Sequence, residues 1–203
     1  MTVVLVHGNP ETEAVWDPLV EALGRDDVVR LSPPGFGAPL PDRWPATYLD
    51  YRDWLEGELT GFATPVDLVG HDWGGGHVMN VVMHRPELVR SWVSDVVGLF
   101  DPDYVWHDLA QVWQTAGDGE QLVDTMMGGT LQERADRLVG LGVTPDVAPK
   151  LAAAAGAEMG RPGFGKGRRA AGIVTARHRG SLRRLGGNPA PGGRPRGSPH
   201  RGA

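Results

Sequence analysis

The sequence predicts an α/β fold built on a parallel sheet, and three observations lead there. Short aliphatic and β-branched runs alternate with amphipathic helical stretches over the first hundred residues. Parallel strands need long crossovers, and helices are the usual crossover, so this rhythm points to helices covering both sheet faces. Turn residues such as Pro33, Pro34, Gly35 and Gly37 stand between the periodic segments. No apolar run reaches the 18 or so residues that a bilayer span requires.

Taken in order, Thr2–Val6 is a continuous apolar strand of the buried type. Thr12–Leu23 is a helix with Val15, Trp16, Leu19, Val20 and Leu23 on one face. Asp27–Leu31 is a second strand, Tyr48–Leu59 a helix, and Val66–Val69 a third strand. Gly74–His84 is a helix ended near Pro86, and Val89–Val97 is a fourth strand.

Residues 103–158 break this rhythm. Asp103–Thr115 carries Tyr104, Val105, Leu109, Val112 and Trp113 as an amphipathic helix. Gln121–Val139 is a second helix with an interruption at Gly128 and Gly129, and Pro145–Met159 is a third. Three helices without a strand between them read as an inserted lid, or else as ordinary covering helices.

Charge divides the chain once more. Residues 1–160 hold all 25 Asp and Glu but only nine of the 20 Lys and Arg, while residues 161–203 hold the other eleven with 11 Gly and 5 Pro. Such a tail lacks the apolar residues to offset ordering entropy and is expected to be disordered, with a short helix at most around Ala170–His178. Its composition fits an out-of-frame end of a GC-rich gene better than natural disorder. Basic disorder can bind nucleic acid or anionic lipid, but no aromatic interleaving or nucleic-acid motif accompanies it, so no specific nucleic acid and no membrane is expected. The division is therefore residues 1–100 as core, 101–160 as a helical cap and 161–203 as tail.

The chain contains no cysteine, which excludes disulfides, a thiol nucleophile and thiolate metal sites. No secretory signal is visible, so the cytoplasm is the default compartment. Neither a cofactor nor a metal is expected, and oligomeric state is left open.

The sharpest motif is Gly70-His71-Asp72-Trp73-Gly74, placed between a strand and a helix. A G-x-nucleophile-x-G turn is tight and lifts its central side chain above the sheet. Here the central residue is Asp72. The helix start behind it supplies backbone donors and a dipole that favour a carboxylate; the alternative is a plain helix cap. After the first strand, His7-Gly8-Asn9-Pro10 can place a backbone N–H opposite the one that follows the nucleophile, forming an oxyanion hole. Asn9 adds an amide donor and Trp73 an indole N–H, two candidates for holding a departing anion such as halide. Their ordinary roles would be a turn residue and a packing residue.

Together His7-Gly8-Asn9-Pro10, Gly35-Phe36-Gly37 and Gly70-His71-Asp72-Trp73-Gly74-Gly75 resemble the α/β-hydrolases that use an aspartate nucleophile. The pattern is most similar to haloalkane dehalogenases, with epoxide hydrolases beside them, over roughly residues 1–160. The resemblance implies that Asp72 attacks an sp3 carbon of a small apolar organic substrate and forms an ester. It implies leaving-group donors at Asn9 and Trp73, and a helical lid over the pocket. Tyr104, Trp106 and Trp113 are the lid aromatics, and Tyr104 is the lid tyrosine to compare with the phenols that protonate the oxide in epoxide hydrolases. Asp95 stands where one kind of dehalogenase keeps the acid that orients its histidine; otherwise it is a solvated strand-end residue.

The pattern departs from that family where catalysis is completed. Two further strands and a late histidine are expected, yet residues 161–203 offer only Ile173-Val174 among Arg and Gly. The core strands of the C-terminal part are therefore missing, leaving an exposed edge. His178 and His200 have no apolar strand before them. His71 is expected to point away from Asp72, with His77 and His84 behind the elbow and His107 in the lid. Displacement by Asp72 needs only an ionised carboxylate and a stabilised leaving group, whereas ester hydrolysis needs a base. The chain is thus expected to be a hydrolase by ancestry that cannot turn over. An epoxide hydrolase or another lid-bearing α/β-hydrolase is the alternative within that class, and an inactive or binding remnant is the other class.

Overall fold

A computed structural model describes residues 1–95, 103–115 and 117–157. Four parallel strands form the described sheet: β1 (Val3–Val6), β2 (Val28–Leu31), β3 (Val66–Gly70) and β4 (Val89–Ser94), in the order β2-β1-β3-β4. In register, Val6 pairs with Leu31 on one side and with Gly70 on the other, and Gly70 pairs with Ser94. The ends of β1, β3 and β4 therefore lie side by side. All four strands stand where the apolar runs predict them. The last two residues assigned to the fourth strand, Val96 and Val97, lie outside the described residues, as do residues 161–203, on which the expectations of a short helix at 170–178 and of absent C-terminal strands rest.

One face of the sheet is closed by two helices. Helix α2 (Tyr48–Thr60) starts with a reciprocal cap, in which Asp50 N–H donates to Thr47 Oγ1 at 3.3 Å and Thr47 N–H to Asp50 Oδ2 at 2.7 Å. It buries Tyr51, Leu55 and Leu59, spaced by one helical turn each. Helix α3 (Trp73–His84) lays Gly74, Gly75, Val78 and Val81 onto the sheet. With Val4, Val6, Val66 and Leu68 these helices make the main core. Full burial of a Val or Leu side chain is worth about 1.5–3 kcal/mol, so this layer is the principal source of stability.

The opposite face is less covered. The predicted helix Thr12–Leu23 is a 3-10 turn at Glu13–Trp16 followed by helix α1 (Asp17–Leu23), with Pro18 in the first turn where its missing N–H costs nothing. Gly24, at φ 57°, ends α1 in the left-handed region that glycine tolerates. Of the apolar face expected there, only Trp16 is buried, while Leu19 and Leu23 are 38% and 41% exposed. An open groove of ≈300 Å³ remains, lined by Val3, Leu19, Leu23, Val69, Trp92 and Val93 among others.

Among the described residues four helices follow β4: α4 (Asp108–Gln114), α5 (Asp118–Met127), α6 (Leu131–Gly140) and α7 (Ala148–Ala157). The long helix predicted at 121–139 is two helices. Gly129 adopts φ 83° between them, and Thr130 and Glu133 form the cap of α6. The helix predicted from Asp103 begins only at Asp108, because His107 is extended and its ring Nδ1 accepts the Ala110 N–H at 3.3 Å. Tyr104 and Trp106 therefore sit in the loop before α4. Helix α7 begins at Ala148 rather than Pro145, and residues 158 and 159 lie outside the described residues. Helices α6 and α7 approach through Ala135, Ala148 and Ala152. Lys150 of α7 pairs with Asp17 of α1, which Arg30 also contacts at 2.5 Å. No described helix is long and apolar enough to cross a membrane.

Candidate active site

Asp72 occupies the turn between β3 and α3 with φ 49° and ψ −125°, a strained backbone for a residue with a Cβ. The glycines around it are required by space. A Cβ on Gly70 would lie 2.5 Å from the Gly74 carbonyl oxygen, and one on Gly74 would collide with the carbonyl oxygens of Val6 and His7. A Cβ on Gly8 would collide with the Asp72 carboxylate. Three glycines thus let α3 close onto the sheet and let Asp72 lie against the loop after β1.

That loop supplies the donor opposite Asp72. The Asn9 N–H donates to Asp72 Oδ2 at 3.0 Å, and the Trp73 N–H also bonds the carboxylate. The donor at Asn9 is its backbone. Its side-chain Oδ1 is buried without a hydrogen-bond partner, so an amide turned by 180° would put its NH2 in that place. Burial pushes the Asp72 carboxyl above its ordinary range, and the two backbone N–H groups and His71 pull it partly back. The helix start favours the carboxylate, as the motif implies, but desolvation outweighs it.

His7, fully buried at the end of β1, donates from Nδ1 to the Gly8 carbonyl at 2.9 Å and accepts at Nε2 from the Ser32 hydroxyl at 3.1 Å. The carbonyl can only accept, which assigns the tautomer. Burial lowers its pKa, so the ring is a neutral brace for the loop.

Asp95, one residue past β4, is occupied on both oxygens. Its Oδ1 accepts the Asp72 N–H at 3.0 Å, and its Oδ2 takes the Nδ1–H of His71. The other nitrogen of His71, Nε2, lies 3.4 Å from Glu11 Oε1. Glu11 in turn accepts the Gly8 N–H at 3.0 Å. Glu11 first, and Asp95 behind it, raise the His71 pKa to about 9 against the opposing effect of burial. Asp95 makes the shorter contact, but its side chain is 52% exposed against 20% for Glu11, so solvent screens it more. Sequence reasoning missed Glu11 and the role of His71. The available signal was an acid three residues beyond Gly8, which becomes informative only once the ends of β1, β3 and β4 are adjacent.

Of the aromatics expected to form a lid, Trp106 stacks on Trp73 with ring centroids 5.9 Å apart and planes 19° apart. Tyr104 meets Trp106 edge-on at 5.3 Å. The Trp106 indole N–H is buried without a hydrogen-bond partner. Trp113 packs on the cluster of Phe36, Ala46, Tyr51 and Val123. The remaining described imidazoles have other occupations. His77 stacks on Tyr51 at 4.8 Å with its pKa lowered to about 3 by burial, His84 contacts Glu56 at 2.7 Å, and His107 caps α4. His178 and His200 lie outside the described residues. Among the described residues, no group of three His, Cys, Asp or Glu is placed to hold a metal ion.

Comparison with known proteins gives a family. Residues 2–155 match the alpha/beta hydrolase fold. The chain is 38% identical over 129 residues to "Probable oxidoreductase EphD" of Mycobacterium tuberculosis, a match covering 56% of this chain and 21% of that protein. The Mycobacterium bovis protein of the same name matches equally. The chain thus spans about a fifth of the length of the curated relatives it matches. Among solved structures, a "putative epoxide hydrolase" of Pseudomonas aeruginosa superposes with a TM-score of 0.67 at 20% identity, covering 91% of this chain and 67% of that one. An epoxide hydrolase of Vigna radiata superposes with a TM-score of 0.62 at 15% identity, covering 86% and 66%. At these identities the likeness is one of fold. The matched span, the parallel sheet and the strand–elbow–helix turn agree, and the chain belongs to the α/β-hydrolase fold family.

Proposed function

We propose that Asp72 is a nucleophile that opens an alkyl–leaving-group bond in a small apolar substrate. The observation that carries this reading is the carboxylate on the elbow with Oδ2 bonded to the Asn9 N–H. In the proposed step Oδ1 attacks an sp3 carbon, a C–O ester bond forms, and the carbon–halogen bond breaks with its electron pair leaving on the halide. The indole N–H groups of Trp73 and Trp106, stacked on each other, and the Asn9 amide are the donors for that anion. Helices α4–α7 and the loop carrying Tyr104 and Trp106 act as the lid over residues 1–100, with Trp113 anchoring it. Asp95, whose oxygens serve His71 and the Asp72 N–H, supports the elbow.

Each described imidazole is engaged elsewhere, so the reaction is proposed to stop at the ester, the second step lacking its base. Incubation of the folded chain with 1-bromobutane is expected to add one butyl group by intact mass and release about one bromide per chain. Asp72→Asn abolishes the adduct. Trp73→Phe slows it by roughly 2–4 kcal/mol in barrier, the worth of one such donor. Steady release of many bromides per chain, lost in Asp72→Asn, would overturn the missing base and direct attention to His178.

A second reading is favoured by Tyr104, which stands edge-on to Trp106 beside Trp73, and by the names of the structural neighbours. A phenol there suits protonation of an epoxide oxygen as Asp72 opens the ring. One hydroxyalkyl-ester adduct from styrene oxide, with a mass gain equal to the whole epoxide, and none from 1-bromobutane, would select this reading.

A further inference from the structure

We infer that His71, as a doubly protonated imidazolium bridging Glu11 and Asp95, is a positioning residue that locks Asp72 against the Asn9 N–H. The inference deepens the reading of Asp72 as nucleophile and rests on it. Four contacts carry it. Both ring nitrogens face carboxylate oxygens, Nδ1 that of Asp95 and Nε2 that of Glu11 at 3.4 Å. A neutral imidazole donates from one nitrogen only and would turn a lone pair toward the other carboxylate. Beyond the ring, Glu11 accepts the Gly8 N–H at 3.0 Å and Asp95 accepts the Asp72 N–H at 3.0 Å. The cation therefore joins the loop that donates to Asp72 with the elbow that carries Asp72.

Charge balance explains why a cation belongs there. Glu11 comes from the loop after β1, Asp72 from the elbow and Asp95 from the end of β4, so three carboxylates converge around one ring. Among the described residues His7, neutral on Gly8 and Ser32, also faces them, with Glu13 acting on His7 from the following turn, and Trp16 meets the ring edge-on at 6.3 Å. Removing the proton from His71 leaves the acids mutually repelling and loosens both the Gly8–Asn9 loop and the Asp72 N–H.

The test uses the intact chain with 15N-labelled histidine, together with single-turnover alkylation by 1-bromobutane. Wild-type His71 is expected to show both ring nitrogens protonated at pH 8, and the Asn9 amide proton shift should follow the His71 titration at higher pH. Glu11→Gln removes one carboxylate and should move that titration down by about one pH unit or more. The alkylation rate should fall above the same midpoint, move with it in Glu11→Gln, and lose its alkaline limb in His71→Gln. A role confined to folding would change the amplitude of reactive protein and leave the midpoint in place. A ring already neutral at pH 8, or an Asn9 amide indifferent to it, overturns the inference. Should wild type form no adduct at any pH, the nucleophile reading fails, while the ring and amide shifts still decide the role of His71. If His71→Gln does not fold, the Glu11→Gln displacement carries the decision.

Discussion

The two faces of the sheet are finished in different ways, and the candidate site belongs to only one of them. On the α2–α3 face, Val4, Val6, Leu55, Leu68, Val78 and Val81 have no exposed surface. On the α1 face, Leu19 and Leu23 remain partly exposed, and Val93, beside Val69 on the edge strand of the described sheet, is 60% exposed. The elbow grows from the closed face, since Gly74 of α3 touches the backbone of Val6 and His7 and so fixes how far Asp72 projects. The geometry around Asp72 is thus set by backbone contact and dry packing, and it is independent of the groove between α1 and β4.

Four measurements can break or sharpen that contrast. Gly74→Ala should have the largest effect, because the new methyl meets two carbonyl oxygens that cannot move without displacing β1. A loss of about 4 kcal/mol is expected in urea unfolding, the scale of a severe core clash. Next, Leu55→Ala should cost about 2–5 kcal/mol as a fully buried truncation, whereas Leu23→Ala, half exposed beside the groove, should cost under about 1 kcal/mol. Equal losses at the two sites would mean that the α1 face is closed in solution.

The third measurement is unfolding free energy against pH. His7 and His77 are buried with pKa values lowered by burial, His77 to about 3. Their unfolded forms take up protons below about pH 6.5 while the folded forms resist, so stability should fall as pH drops through that value. His77→Phe should flatten this acid limb. His71 works in the opposite sense, because its folded pKa is raised to about 9. Its contribution is complete below about pH 6.5 and is lost as pH rises through 9.

The smallest effect concerns Asp72 itself. Burial raises its folded pKa, so its ionised form is held at a cost to stability that is present above that pKa and relieved as pH falls through it. Asp72→Asn should therefore raise the urea midpoint at pH 7, and the gain should shrink toward acid pH. A destabilised Asp72→Asn would show instead that the bonds from Asn9 and Trp73 depend on the carboxylate's charge.

Much of this was legible in the residues alone because its causes are local. Short runs rich in aliphatic and β-branched residues marked β1 to β4, the last of them expected over Val89–Val97, and paired glycines at 128 and 129 marked the break before α6. The elbow was legible for the same reason, since glycines at 70 and 74 around Asp72 announce a tight turn whatever surrounds it. Tertiary structure alone decided the rest. Whether the apolar side of α1 is buried depends on what packs there, which periodicity within α1 does not contain. Trp106 meets Trp73 although 33 positions separate them, because a loop outside any helix carries it to the elbow. Glu11, His71 and Asp95 become one charged cluster only when the sheet sets the ends of β1, β3 and β4 side by side. Electrostatic coupling depends on distance through space, and the order of residues along the chain determines that distance only after the fold has formed.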